Sequence, residues 1–386
     1  MKETRRSFLV LMVFGLFFSL TLYTCDAGVA SAPDMLPQEA IIPSARPREI
    51  SPIVVEIDLT KLVAGNRAFA FDLYQAVREE NSNLFYSPYS ISLALAMTYA
   101  GARTKTERQM ANTLHFTLPQ DRLHHAFNAL DLELASRGDD AAGQDGQGFR
   151  LNIANALWGQ IGFSFLPEFL DTLADNYGAG LRLLDFEDKP EESRIIINDW
   201  VSDQTEGKIE DLIPEGVITE MTRLVLTNAI YFNAAWLLPF AEERTHDGTF
   251  HLLDGGRVTV SMMSNIKMLG YAEGKGFQAV ELLYDGGEVS MVVLLPKAGR
   301  FKKFEKSLEA KRVGAILKGL QLRNVALMMP KFTYESSFDL NKTLMSMGMS
   351  DAFSPGKADF SGMDGKRDLF ISAVVHKAFI LSLIHI

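Results

Sequence analysis

The chain has 386 residues, 47% of them hydrophobic and 22% charged, which is enough apolar material for a large packed core in one big domain or two ordinary ones. Its formal net charge of −10, with no run of Lys and Arg to offset it, argues against nucleic acid or an anionic membrane surface as the main partner. Cys25 is the single cysteine and lies in or beside the N-terminal leader, so the folded part has no disulfide and depends on packing.

Lys2, Arg5 and Arg6 precede a nearly unbroken apolar run from Phe8 to Leu22, the charged and hydrophobic regions of an export signal over residues 1–30. The run is about fifteen residues, short of the ~20 that span a bilayer, which favours cleavage over anchoring. Gly28-Val29-Ala30 offers a signal peptidase site before Ser31; Thr4 to Leu9 resembles a twin-arginine signal; Leu22 to Cys25 is a poor lipoprotein box, with lipid anchoring at Cys25 as a lesser alternative. The expected location is outside the cytoplasm, extracellular or periplasmic. Residues 31–58 carry Pro33, Pro37, Pro43, Pro47 and Pro52 with little periodicity and read as a tether.

From Leu59 to Val77 the apolar residues Leu62, Phe69, Leu73 and Val77 recur at helical spacing. Ser87-Pro88 supplies a helix start and Gly101 a stop around Ile91 to Ala100, a segment apolar nearly all round and therefore buried. Lys105 to Arg137 is again helical in pattern. Gly138 to Gly148 is a loop of Gly, Asp and Gln without the strand-then-helix setting of a phosphate-binding motif.

Beyond the loop, Phe149 to Trp158 and Leu181 to Phe186 read as strands, and Leu166 to Tyr177 and Glu191 to Thr205 as helices. Arg223–Phe232, Gln278–Leu283, Val289–Leu295, Val325–Met329 and Leu369–Ile380 read as apolar strands buried on both faces. The long helical pattern of the second half is Lys302 to Gly319. The total describes an α+β domain with large mixed sheets over residues 59–380, without internal repeats.

No Gly-x-Ser-x-Gly elbow, His-Glu-x-x-His helix, Walker loop or Cys-x-x-Cys pair occurs, so the usual enzyme signatures are missing. The seven histidines show no metal-ligand spacing; solvated or core roles account for them. No metal or small-molecule cofactor is expected.

Four stretches carry a family resemblance. Asn83 to Ile91 continuing through Ala102, NLFYSPYSISLALAMTYAGA, resembles helix B of the serpins. Asn198-Asp199-Trp200-Val201 with Thr205, Gly207, Lys208 and Ile209 resembles their helix F and its following turn. Leu224 to Trp236, LVLTNAIYFNAAW, resembles strand 3 of their sheet A, and Val375 to Phe379, VHKAF, resembles strand 5. The order is right over roughly 300 residues.

The resemblance implies a fold of three β-sheets with about eight to nine helices. It implies that Ser87, Ser90, Asn228 and His376 form the shutter, a latch beneath sheet A, with ordinary satisfied core groups as the alternative. Trp236 and Lys331 would belong to the breach, where loop insertion starts. Thr104 departs from the family pattern, which has Gly there. The implied function is suicide inhibition of a serine, or alternatively a cysteine, endopeptidase: the cleaved bait loop inserts as a new strand of sheet A. The protein would then be no enzyme, its partner the target protease, and the intact form a monomer. A non-inhibitory carrier or chaperone-like serpin is the alternative.

After Phe379-Ile380 the sequence continues Leu381-Ser382-Leu383-Ile384-His385-Ile386, where the family has a hinge and the reactive-centre loop. The six residues match the translation of a common sequencing adapter, so residues 381–386 are expected to be non-native. On that reading the domain is incomplete, and the chain as written should be inactive.

Overall fold

A computed structural model describes residues 40–42, 46–78, 83–138, 141 and 150–382. The export signal, Cys25, most of the Gly138–Gly148 loop and residues 383–386 lie outside the described residues.

Strand β1 (Ala40–Ile42) precedes helix α1 (Glu56–Val77), which buries Leu62, Phe69 and Leu73. Helix α2 (Pro88–Tyr99) starts as the sequence indicates, with Pro at its first position and the Ser87 side chain capping the Ser90 amide. All its residues from Tyr89 onward are buried. The expected helical block Lys105–Arg137 is two helices, α3 (Thr104–Leu114) and α4 (Gln120–Ala135). His115 turns left-handed at φ 56° to end α3, and Pro119 opens α4.

Thr104 sits at φ 53°, in the region that favours glycine. Its hydroxyl donates to Asp359 Oδ2 at 2.7 Å, a bond that glycine could not make.

Next come β2 (Arg150–Gln160), α5 (Pro167–Tyr177), β3 (Leu181–Leu184), α6 (Pro190–Gln204) and β4 (Leu224–Asn233). The second half contains β5 (Thr245–His251), β6 (Arg257–Gly274), β7 (Phe277–Leu283), β8 (Ser290–Pro296), α7 (Phe301–Glu305), α8 (Ala310–Lys318), β9 (Gln321–Pro330), β10 (Phe332–Asp339), α9 (Asn341–Ser346), α10 (Ser361–Asp364) and β11 (Ile371–Ser382). The α+β fold is as expected. Ten α-helices form among the described residues, several of only one or two turns. By hydrogen bonding the described strands make two sheets, because the 18-residue β6 pairs with β5 and β9 along one part and with β7 at its end.

The six-stranded sheet has the order β1-β3-β2-β4-β11-β10. One face carries Leu224 and Leu226 into a core with α1 and α2, and the other carries Val225 and Ala229 against Ile197 and Val201 of α6. Strand β4 is accordingly buried on both faces.

Three expectations need correction. The runs read as two-sided buried strands at Val289–Leu295 and Val325–Met329 become β8 and β9, each with an open face: Leu295 is 59% exposed and Met328 65%. Residues 31–58 are not a tether throughout, since β1 pairs antiparallel with β3 and α1 begins at Glu56. The helical run Lys302–Gly319 divides into α7 and α8 around Ser307 and Leu308. In addition, β11 runs through Leu381 and Ser382, which pair with Thr333 and Phe332.

Candidate functional site: a latch beneath a parallel strand pair

Strands β4 and β11 are neighbours and parallel, with His376 opposite Asn228, while β2 runs antiparallel to β4 with Asn155 opposite Asn228. Three polar side chains thus lie in a row across three strands whose surroundings are apolar. Beneath them the start of α2 presents Ser87 and Ser90. Asn228 is 1% exposed, Ser87 1%, and Ser90 and His376 0%.

The hydrogen bonds fix the tautomer of His376. The Ser87 amide donates to His376 Nε2 at 3.1 Å, so that nitrogen is unprotonated and Nδ1 carries the hydrogen. Nδ1 donates to Asn228 Oδ1 in a short bond, and the Ser90 hydroxyl donates to the same oxygen at 2.9 Å. The Ser87 and Ser90 hydroxyls are 2.6 Å apart, which lets Ser87 donate to Ser90. Asn228 Nδ2 donates to Asn155 Oδ1, and Asn155 Nδ2 donates to the Ser90 carbonyl at 3.2 Å. Burial lowers the His376 pKa to about 3, against a smaller opposing contribution from the Asn228 backbone, and so holds the imidazole neutral.

The four expected shutter residues therefore meet in one network. Asn155 is a fifth member that the sequence reading missed, although the same signal, an amide inside the apolar run Ile153 to Leu157, was present. The two expected breach residues behave differently. Trp236 is 4% exposed, stacks on Tyr284 at 4.6 Å between ring centroids and meets Phe240 edge-on. Lys331 is exposed at the turn between β9 and β10, its amide bonded to Ser261 O at 2.9 Å. No hydrogen bond or ring contact joins Trp236 to Lys331 among the described residues.

No group of three or more His, Cys, Asp or Glu that could hold a metal ion occurs among the described residues, and no described helix is long and apolar enough to cross a membrane.

A sheet whose parallel β4–β11 pair lies over a polar latch fits the serpin class. The family model described as Serpin (serine protease inhibitor) matches residues 64–381, and the chain belongs to that family. It is 40% identical to leukocyte elastase inhibitor A of Mus musculus over 333 residues, covering 83% of this chain and 86% of that protein. An uncharacterised serpin-like protein of Thermococcus kodakarensis is 40% identical over 313 residues, 81% of this chain and 71% of that one. Among solved structures, the thermophilic serpin tengpin in its native state aligns with a TM-score of 0.79 at 28% identity, covering 90% of this chain and 87% of that one. Uncleaved ovalbumin aligns with 0.76 at 27%, covering 83% and 86%.

Proposed function

We propose that the full-length gene product is an exported inhibitor of a serine, or alternatively a cysteine, endopeptidase, acting by loop insertion and not as an enzyme. The observation that carries this reading is the parallel β4–β11 pair with a buried latch beneath it. The sheet has two parallel pairs, β2–β3 and β4–β11, and the second lies over the latch; two parallel neighbours leave room for one strand between them that runs antiparallel to both. A segment that turns back after β11 runs in that direction. Its insertion would form two antiparallel ladders in place of one parallel ladder, a gain in backbone pairing.

Cleavage of the loop by the target protease, at the acyl-enzyme stage, would release the segment, and insertion would carry the attached protease away before water completes hydrolysis. The latch residues bind no substrate. Ser87, Ser90, Asn155, Asn228 and His376 hold β2, β4 and β11 at one level of α2, and their bonds set the barrier to parting the strands. Trp236 packs next to the far end of β4, and Lys331 lies on the exposed rim where β10 begins; we assign both to the end of the sheet where insertion starts. The relatives named as leukocyte elastase inhibitors support a protease as partner; the intact form is proposed as a monomer that takes one protease.

The test is expression of the full-length gene with residues 1–30 in place, followed by incubation of the exported product with a panel of serine and cysteine proteases. The product should begin at Ser31 and form a denaturant-stable complex of one inhibitor with one protease. Simple cleavage by every protease in the panel would instead favour a non-inhibitory carrier or chaperone-like role.

A further inference from the structure

Strand β10 reaches the start of α2 by side chains that the latch does not include. Tyr334, Ser336 and Phe338 alternate along β10 and so share one face, level with Ile380, Ala378 and His376 of β11. The Tyr334 hydroxyl donates to the Asn83 carbonyl at 2.7 Å, and the Ser336 hydroxyl donates to the Phe85 carbonyl in a short bond. The Phe338 ring stacks on His376 at 6.1 Å between centroids with 13° between the planes, and His376 Nε2 accepts from the Ser87 amide at 3.1 Å. Backbone groups of residues 83, 85 and 87 are thus taken up in turn by β10 and β11.

The same stretch of chain is bonded to the other side of the seam one turn later. The Ser90 hydroxyl donates to Asn228 of β4 at 2.9 Å, and the Ser90 carbonyl accepts from Asn155 of β2 at 3.2 Å. Residues 83–90 therefore span the β4–β11 pair on the latch face, and if the strands part they follow one side only. Three of these bonds tie them to β10 and β11 and two to β2 and β4. The bond from His376 to Asn228 joins the two sides directly and breaks in either case. Packing of α2 in one core with Leu224 and Leu226 is apolar and non-directional, so it permits sliding, and the directed bonds decide the partition.

We propose that Tyr334 and Ser336 are positioning residues that keep the start of α2 with β10 and β11 when the sheet opens. Opening then severs the Ser90 bonds to Asn228 and Asn155 and spares the Ser87 bond to His376. This rests on the reading that the sheet parts between β4 and β11.

The experiment is a set of spin-label distances in the full-length product, measured before and after proteolytic cleavage in the segment following β11. Labels are attached in pairs at Asn83→Cys, at Ser337→Cys on β10 and at Ile161→Cys just beyond β2, all exposed positions, with Cys25→Ser to remove the single native thiol. Entry of one strand should lengthen the distance between positions 161 and 337 by about 5 Å, one strand spacing. The proposal expects position 83 to move away from 161 and to keep its distance from 337. In Tyr334→Phe with Ser336→Ala, position 83 should instead move away from 337 on cleavage. A purely structural role would lower the stability of that variant without changing the side that position 83 follows. Separation of 83 from 337 in the chain with both hydroxyls, or a fixed distance in the chain without them, would overturn the anchor. Should the double variant not fold, Tyr334→Phe and Ser336→Ala are compared singly in the same way. An unchanged distance between 161 and 337 would overturn the parting of this seam and the anchor with it, whereas a lengthened one with 83 following β2 removes the anchor alone.

Discussion

His376 and His124 are both buried and both held neutral. His124 is 3% exposed, with Nδ1 2.6 Å from the Tyr177 hydroxyl and Nε2 without a hydrogen-bond partner. Burial is the main cause in each case and lowers both pKa values from 6.5 to about 3. Because the folded value lies below the unfolded one, the unfolded chain takes up protons first as pH falls. The stability these residues contribute is complete above about pH 6.5 and is lost as pH falls toward 3. Each contributes a slope of up to about 1.4 kcal/mol per pH unit. Urea unfolding between about pH 6.5 and 5, above the carboxylate range, should therefore show stability falling with pH, and His376→Asn should roughly halve the slope. An unchanged slope would mean that His376 already carries a proton in the fold.

At the scale of elements, the latch is a cross-strand register as much as a set of side chains. Asn155, Asn228 and His376 are level because β2, β4 and β11 pair without offset at that point. Asn155→Ala should leave the Asn228 amide without its acceptor and cost about 1–3 kcal/mol. The double variant with Asn228→Ala should lose less than the sum of the two single variants, since they share a bond; additive losses would separate them. Asn228 was legible in the sequence as a lone amide in an apolar strand, and helix α2 as an apolar segment opened by Ser-Pro. Strands β5, β6 and β10 were not. Much of their surface is exposed, as in the alternating PheThrTyrGluSerSerPheAsp of β10, so no continuous apolar run marks them. Strand β1 was hidden among prolines because its pairing depends on β3, some 140 residues further along the chain.

For the whole molecule, the sequence order of the matched stretches already implied the serpin fold, whereas the joining of the strands into two sheets depends on the length of β6, which pairs with β5, β9 and β7. Burial also divides unevenly. The six-stranded sheet is covered on both faces at β4 and β11 and open on one face at β10, while the sheet of β5 to β9 leaves Ile266, Met268, Leu322 and Met328 more than half exposed on one face. On the proposed function this sheet opens at the parallel β4–β11 pair, which lies over a polar latch.

The most direct measurement is the melting temperature of the full-length product before and after proteolytic cleavage in the segment following β11. If the cleaved segment enters between β4 and β11, the new ladders should raise the melting temperature sharply and protect the β4 and β11 amides from exchange. A cleaved product that melts at or below the temperature of the uncleaved one would contradict insertion at this seam.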